Sequence, residues 1–227
     1  MQPSSLIESE MRAVYEMYAA MTAELRPEFG LGGKLLYAGE LDEQGTRLVR
    51  AANIAGAASL SASSDPEWQR RAVREGIVDF LVTSLDEALR ILKNEIRKRQ
   101  AASVCVGLQP EQVLAEMCAR GVLPDLLAPC DARPELDTLM AQGARRLIVQ
   151  PLGADSVFIV CRQPGAEFEA AALETIPESD SAARRWLRLA PRYLGPQARR
   201  HRSLPCDHAT AARLRARFGA DSVAEIG

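Results

Sequence analysis

Small hydroxyl residues and a carboxylate follow one short apolar segment, in a run that could bind a sugar or a phosphate. The segment Ala58–Ala62 has the length of a buried strand, and Ser63 and Asp65 come directly after it. In an open α/β sheet, ligands bind beyond the carboxyl ends of the strands, so both residues are candidates for nucleotide binding. We favour the competing interpretation, in which Asp65 caps the next helix, as Ser84 caps the one after it.

Two cysteine-containing segments could also carry chemistry. Cys130 follows another strand-like run, and a thiol there would be nucleophilic if its pKa were lowered. No histidine lies near Cys130 in sequence, which favours a structural cysteine. Cys206, Asp207 and His208 are all metal-ligand types, but no fourth ligand stands at a telling spacing, and Asp207 fits a helix cap better. We expect neither a catalytic thiol nor a metal site.

Arginines are concentrated near the end of the chain. Between residues 184 and 217 Asp207 is the only acidic residue, and the arginines are Arg184, Arg185, Arg188, Arg192, Arg199, Arg200, Arg202, Arg213, Arg215 and Arg217. Such a cluster could bind the phosphates of a nucleic acid. Trp186, Leu187 and Tyr193 interleave with it, however, and no nucleic-acid motif is present. We therefore expect arginines that pair within the protein or at a subunit contact, and no nucleic-acid partner.

The elements that would position these residues follow a regular order. Residues 34–128 predict five short apolar strands that alternate with four amphipathic helices. One of these helices opens with a capping box, Ser84 followed by Glu87. This alternation predicts a mostly parallel sheet with helices on both faces, an α/β Rossmann-like, doubly wound fold.

Three regions are predicted in total. Residues 1–33 hold an N-terminal helix that packs on the core, residues 34–152 the Rossmann-like domain, and residues 153–227 a small α+β extension. At the start of the extension we expect Val157–Cys161 to form a hairpin with Leu147–Pro151, the last strand before it, and arginine-rich helices to follow. The proposed helix breaks are four prolines of this region, Pro177, Pro191, Pro196 and Pro205.

An ordered set of segments resembles one known family. Val14-Tyr15-Glu16 is followed by GGKLLYAG, AANIAGA, EGIVDFLVTSLDEAL, SVCVGL and ARGVLPDLL, which together cover roughly residues 13–128. In this order they resemble the NAD-binding, Rossmann-like domain of urocanase. The resemblance implies that fold, and NAD as the cofactor to consider.

The family's cofactor turn is altered in this chain. Urocanases have a glycine-dense pattern, GLGGMGGAQP, after the first strand, and only Gly39 and Gly45 correspond to it here. Between them lie Glu40, Asp42 and Glu43, where the cofactor phosphates would be held. Because a pyrophosphate needs unpaired N–H donors and no nearby negative charge, these three acids disfavour the family's binding mode.

A rearranged site remains the alternative. It would use Thr46, Arg47 and Asn53 together with Ser63 and Asp65, and would make the protein an NAD- or nucleotide-dependent enzyme acting at the strand ends.

The active-site pattern of urocanases, TDQTSAHDP after the fifth strand, is replaced here by residues 128–134, APCDARP. The large flanking portions that build the family's substrate pocket have no counterpart in 227 residues. We therefore expect a protein that has lost urocanate hydratase activity and acts as a ligand-binding or protein-interaction module, with no cofactor assigned and NAD left open.

Composition sets the remaining expectations. The net charge is −2, no apolar run approaches the roughly 18–20 residues that span a bilayer, and the amino terminus does not look like a signal peptide. Five dispersed cysteines argue against a disulfide framework, so we expect a cytoplasmic protein with no membrane partner. The apolar faces of the first helix and of the Trp186 segment suggest the contacts of a homodimer.

Overall fold

A six-stranded parallel sheet forms the centre of the molecule. The computed structural model describes residues 3–23, 29–129, 133–162, 164 and 166–226. The strands are β1 Leu35–Glu40, β2 Ala58–Ala62, β3 Phe80–Val82, β4 Ser103–Val106, β5 Leu126–Leu127 and β6 Arg145–Arg146. They are arranged in the order β3-β4-β2-β1-β5-β6, and every neighbouring pair is parallel. The predicted Rossmann-like α/β fold is therefore confirmed.

Helices cover both faces of this sheet. Alternate residues of a strand point to opposite faces, so Leu36 and Ala38 join one core cluster while Leu35 and Tyr37 join the other. The connecting helices, after the N-terminal helix α1, are α2 Glu43–Ala55, α3 Pro66–Arg74, α4 Leu85–Arg97, α5 Pro110–Ala119 and α6 Pro134–Ala141. Helices α2 and α3 bury residues in the first cluster, and α4, α5 and α6 bury theirs in the second.

The residues after the parallel sheet form a second, antiparallel sheet with helices. Its elements are β7 Ser156–Cys161, α7 Ala166–Thr175, α8 Ser181–Tyr193, β8 Arg202–Asp207, α9 His208–Phe218 and β9 Val223–Ile226. The strands lie in the order β8-β7-β9. This is the small α+β extension that the sequence predicts.

The predicted hairpin between Leu147–Pro151 and Val157–Cys161 is wrong. The ladder of β6 ends at Arg146, because its neighbour β5 has only two residues, and β7 pairs instead with β8 and β9. Ile148, in the run expected to be a strand, is 75% exposed. The partners of β7 are thus more than 40 residues distant in the sequence, beyond the reach of a local pattern.

Two of the four prolines do not break helices. Pro191 lies inside α8, close to its end at Tyr193, so the intrahelical hydrogen bond that it removes belongs to the last turn. Pro205 lies within β8, opposite Phe158. Because β8 is an edge strand of its sheet, a residue without an N–H group is tolerated there.

The first helix, α1 Pro3–Thr22, and α8 are packed against each other in the same chain. Trp186 is fully buried, and its ring lies 5.0 Å from that of Tyr15 and 5.3 Å from that of Tyr18. The Tyr18 hydroxyl donates to the carbonyl of Ala182 at 2.8 Å. The two apolar faces proposed as subunit contacts therefore cover each other, which removes the reason for assigning them to a dimer interface.

None of the helices within the described ranges is both long and apolar enough to cross a membrane.

Candidate functional site

A crevice opens where the strand order of the parallel sheet diverges. The chain leaves β1 towards β2 on one side and leaves β5 towards β6 on the other, so none of the described connecting helices crosses the gap at their carboxyl ends. The crevice has a volume of about 330 Å³ and is formed by residues 37–40, the first turns of α2 and α5, and four residues after β5, which are Ala128, Pro129, Arg133 and Leu136. Small-molecule sites in doubly wound folds lie at this position.

Two backbone donors in the turn between β1 and α2 have hydrogen-bond partners within the protein. Gly39 has a φ of +74°, a conformation that favours glycine. The N–H of Leu41 donates to the carbonyl of Ala62 at 2.8 Å, and the Leu41 side chain is fully buried. The Asp42 carboxylate caps α2 by accepting from the N–H of Gly45 at 2.8 Å. Two N–H groups of this turn are therefore already used within the protein.

Gly45 allows α2 to begin directly on the end of β1. A Cβ atom at this position would lie 1.9 Å from the carbonyl oxygen of Glu40, far inside any real contact distance. In Rossmann folds one glycine of the first turn serves this close approach of helix and strand. Gly39 and Gly45 thus have backbone roles that require no ligand.

Carboxylates dominate the charge of the crevice. Glu40 and Asp42 both line it, whereas Glu43 turns away and accepts from Arg47 at 2.6 Å. Arg133 lies at the rim and donates to Glu111 at 2.6 Å. This hydrogen bond holds the pKa of the exposed Glu111 carboxyl below its usual value.

Of the six predicted binding residues, the structure brings only Gly39 and Gly45 to this crevice. Asn53 follows Gly45 by eight helical residues, about 12 Å of helix, and its amide donates to Ser103 at the amino end of β4. It therefore lies near the amino ends of the parallel strands, whereas the crevice lies at their carboxyl ends. Thr46 faces a different cavity, between helices.

The Ser63 and Asp65 pair belongs to the start of α3. The Asp65 carboxylate accepts from the N–H of Glu67 at 2.7 Å and borders a surface groove along α3. The Ser63 hydroxyl accepts from the N–H of Asp65 at 3.2 Å. The prediction that Asp65 and Ser84 cap helices is confirmed, since Ser84 accepts from the N–H of Glu87.

The cysteine segments have separate outcomes. Cys130 lies outside the described residues. Asp207 caps α9 by accepting from the N–H of Thr210 at 2.6 Å, as predicted. Within the described ranges no group of three or more histidine, cysteine, aspartate or glutamate side chains is placed to hold a metal ion.

We expect the Cys206 thiol to resist alkylation in the folded protein. Burial, together with the negative charges of Asp207 and Glu225, raises its pKa to about 12, so almost no thiolate forms at pH 8. Mass spectrometry after treatment with iodoacetamide at pH 8 should find Cys206 unmodified, and fully modified once guanidinium has unfolded the chain. Labelling at the rate of an exposed thiol in the native protein would contradict this.

Several arginines of the C-terminal cluster are used inside the molecule. Arg184 donates to the carbonyls of Leu173 and Ile176 at the end of α7. Arg185 donates to the carbonyl of Ile54 at 2.7 Å and so joins α8 to the end of α2. Ion pairs with Glu169 and Glu225 hold two further arginines, Arg202 and Arg215.

A cavity larger than the crevice lies elsewhere, between α1, α2, α3 and the segment after α8. One residue of its wall, Arg50, was not among the predicted site residues. Arg50 and Thr46 are four positions apart, hence on one face of α2, and both are polar residues within a largely apolar buried stripe. Two polar residues on one face of an amphipathic helix were the sequence signal that could have identified this cavity.

A family model agrees with the motifs of the sequence. The model of the urocanase Rossmann-like domain matches residues 12–131, more than half of the 227-residue chain. The matched region begins in α1 and contains the first five strands of the parallel sheet and both sides of the crevice. The chain therefore belongs to the urocanase family, and its parallel sheet is the Rossmann-like domain of that family.

Proposed function

We propose that this chain is a ligand-binding module of the urocanase family that neither hydrates urocanate nor holds NAD at the first turn of its sheet. One observation carries the proposal. The Asp42 carboxylate accepts from the Gly45 N–H at 2.8 Å, at the start of the first helix after β1. In dinucleotide-binding Rossmann folds the cofactor pyrophosphate accepts from N–H groups at that place.

The surrounding charges and donors support the same proposal. Glu40 and Asp42 line the crevice, and both would repel a pyrophosphate. The Leu41 N–H donates to the carbonyl of Ala62 and is therefore not available to a phosphate. The residues present therefore do not fit a dinucleotide held in the manner of such folds.

The alternative is an NAD- or nucleotide-dependent enzyme with a rearranged site in the same crevice. The observation in its favour is Arg133, the one guanidinium among the described residues that line the crevice. Such a ligand would have to compete with Glu111 for that guanidinium.

We expect the purified protein to contain no stoichiometric NAD. The measurement is absorbance and mass spectrometry of the small molecules released by denaturation, followed by calorimetric titration of the native protein with NAD. Stoichiometric NAD, or NAD binding that Arg133→Gln abolishes and Glu178→Gln leaves unchanged, would contradict the proposal and favour the alternative. Glu178 is a suitable control because it is exposed and lies outside the parallel sheet.

We also propose that the protein forms a homo-oligomer, through a surface other than the buried α1 and Trp186 faces. The supporting observation is the edge strand β3, on which Phe80 and Leu81 are 44% and 41% exposed. Unpaired edge strands with apolar side chains favour association. Light scattering should give a mass above that of one chain, and Phe80→Lys should reduce it; a monomer at high concentration contradicts the proposal.

A further inference from the structure

A cavity of about 860 Å³ separates the helical layer of α1, α2 and α3 from the segment after α8. Its volume is within the range of small-molecule sites, roughly 300–1,000 Å³. Apolar side chains, among them Leu6, Met11, Trp68 and Leu194, form much of its wall. It lies on a helical face of the sheet and shares no described residue with the crevice.

Arg50 is a buried cation in this wall with weak partners. Only 9% of the residue is exposed, and its guanidinium packs under the turn at Gly195. Its terminal nitrogens lie 3.5 Å from Glu10 and 3.6 Å from Glu75, whereas good charge-assisted hydrogen bonds measure about 2.7–2.9 Å. Burial lowers the pKa of the guanidinium, in spite of the two carboxylates. The cation is therefore desolvated without full compensation.

Donors beside this cation lack acceptors. Neither Arg50 Nε nor the Thr46 hydroxyl has a hydrogen-bond partner among the residues that the structure describes. Thr46 is 95% buried, since its exposed fraction is 5%, and it lies one helical turn before Arg50. Buried polar groups without partners are rare in proteins, and each calls for a specific explanation. Both atoms are covered by protein, so a ligand oxygen provides the missing acceptor when the Thr46 and Arg50 side chains turn towards the cavity.

The other charges of the cavity limit the kind of ligand. Arg47 is held by Glu10 at 2.7 Å and by Glu43 at 2.6 Å, and Arg71 is held by Glu75 at 2.9 Å. The described lining thus contains as many carboxylates as guanidinium groups, with Arg50 alone poorly paired. A dianion such as phosphate would be repelled by the three glutamates. A single negative charge on an apolar body fits both the charges and the walls.

We propose that this cavity binds an apolar monocarboxylic acid, whose carboxylate accepts from Arg50 and Thr46 while its apolar body packs against Trp68 and α1. This inference deepens the proposed function, on which it rests, by naming the site and the class of ligand. The fork of donors on a guanidinium matches the two oxygens of a carboxylate.

The test uses 4-phenylbutyrate as probe, with 4-phenylbutyramide as its uncharged match and inorganic phosphate as the dianion. Calorimetry measures affinity, and fluorescence of Trp68, the tryptophan that lines the cavity, reports the place of binding. We expect saturable binding of the carboxylate with a change in fluorescence, at least tenfold weaker binding of the amide, and no displacement by phosphate.

Two variants examine the donors. Arg50→Gln should weaken binding of 4-phenylbutyrate about 10- to 100-fold, the usual effect of losing a hydrogen bond from a charged group. Thr46→Val, which keeps the shape of the side chain, should weaken binding about three- to tenfold. The same variant should raise the Tm of the unliganded protein by about 2–4 °C, because it removes a buried hydroxyl that has no partner. Arg120→Gln is the matched control, since Arg120 pairs with Asp86 away from the cavity.

Several outcomes would overturn the inference. These are no binding of the carboxylate at millimolar concentration, equal binding of the amide, or affinity that Arg50→Gln and Thr46→Val leave unchanged. If Arg50→Gln does not fold, the opposite effects of Thr46→Val on affinity and Tm decide. Binding that is lost in Arg133→Gln but kept in Arg50→Gln would place the ligand in the crevice, which overturns this inference and leaves the proposed function intact. Stoichiometric NAD would overturn the proposed function separately.

Discussion

Replacing Trp186 with alanine is expected to lower the free energy of unfolding by about 3–5 kcal/mol, the cost of deleting a large buried aromatic side chain. The indole is fully buried between α1 and the antiparallel sheet. It contacts the rings of Tyr15 and Tyr18, and Phe158 lies 6.3 Å away. Its Nε1–H donates to the Ser203 hydroxyl at 3.2 Å, so the variant also leaves a buried hydroxyl without a donor.

Guanidinium denaturation followed by far-UV circular dichroism measures this effect, because that signal does not depend on tryptophan. The matched control is Trp68→Ala. Trp68 is only partly buried and its ring is covered by the Arg71 guanidinium at 5.0 Å, so we expect a loss of about 1 kcal/mol or less. Equal losses of stability in the two variants would show that the packing of Trp186 against Tyr15, Tyr18 and Phe158 does not stabilise the contact between α1 and the extension.

Replacing Gly45 with alanine is expected to cost about 3 kcal/mol or more, because an added methyl group meets a backbone atom that cannot rotate away. The Cβ would lie 1.9 Å from the Glu40 carbonyl oxygen. Relief requires α2 to move away from β1, yet α2 is buried along most of its length and carries much of one core. The effect is therefore steric and does not depend on any ligand.

Alanine substitutions at two other glycines distinguish the effect of steric overlap from that of an unfavourable backbone conformation. Gly39→Ala has open space around its Cβ but a φ of +74°, so we expect a loss of about 1–2 kcal/mol. Gly153→Ala meets nothing and lies outside the left-handed region, so it should change stability by less than about 0.5 kcal/mol. Chemical denaturation should show the largest loss of stability for Gly45→Ala, a smaller loss for Gly39→Ala and the smallest for Gly153→Ala. Equal losses at positions 39 and 45 would show that close approach is not the reason for Gly45.

The parts of the fold that could be predicted are those determined over short stretches of chain. Strand and helix periodicity in residues 34–128 predicted the parallel sheet, which the structure contains. The caps at Asp65, Ser84 and Asp207 were also predicted, because each side chain accepts from an N–H only two or three residues further on. Interactions of that range are visible in the order of the residues.

The errors concern partners that are distant along the chain. The strand β7 was assigned to a hairpin with its nearest apolar neighbour, whereas its actual partners are β8 and β9. Pro205 was interpreted as a break because sequence does not show which strand is at an edge. The faces of α1 and of Trp186 were assigned to a dimer, since nothing in the local pattern shows that residues 15 and 186 meet.

For the candidate site, the sequence by itself determined the family, the acidic character of the first turn, and the two glycines that let α2 start on β1. These follow from residue types within a few positions of one another. Only the tertiary structure decided that Glu43 turns away from the crevice, and that Asn53 lies near the amino ends of the strands, opposite the crevice. The Arg50 cavity likewise exists only where α1, α2, α3 and the segment after α8 meet. Burial and pairing of a charge depend on every element packed around it, and those elements come from positions almost 200 residues apart.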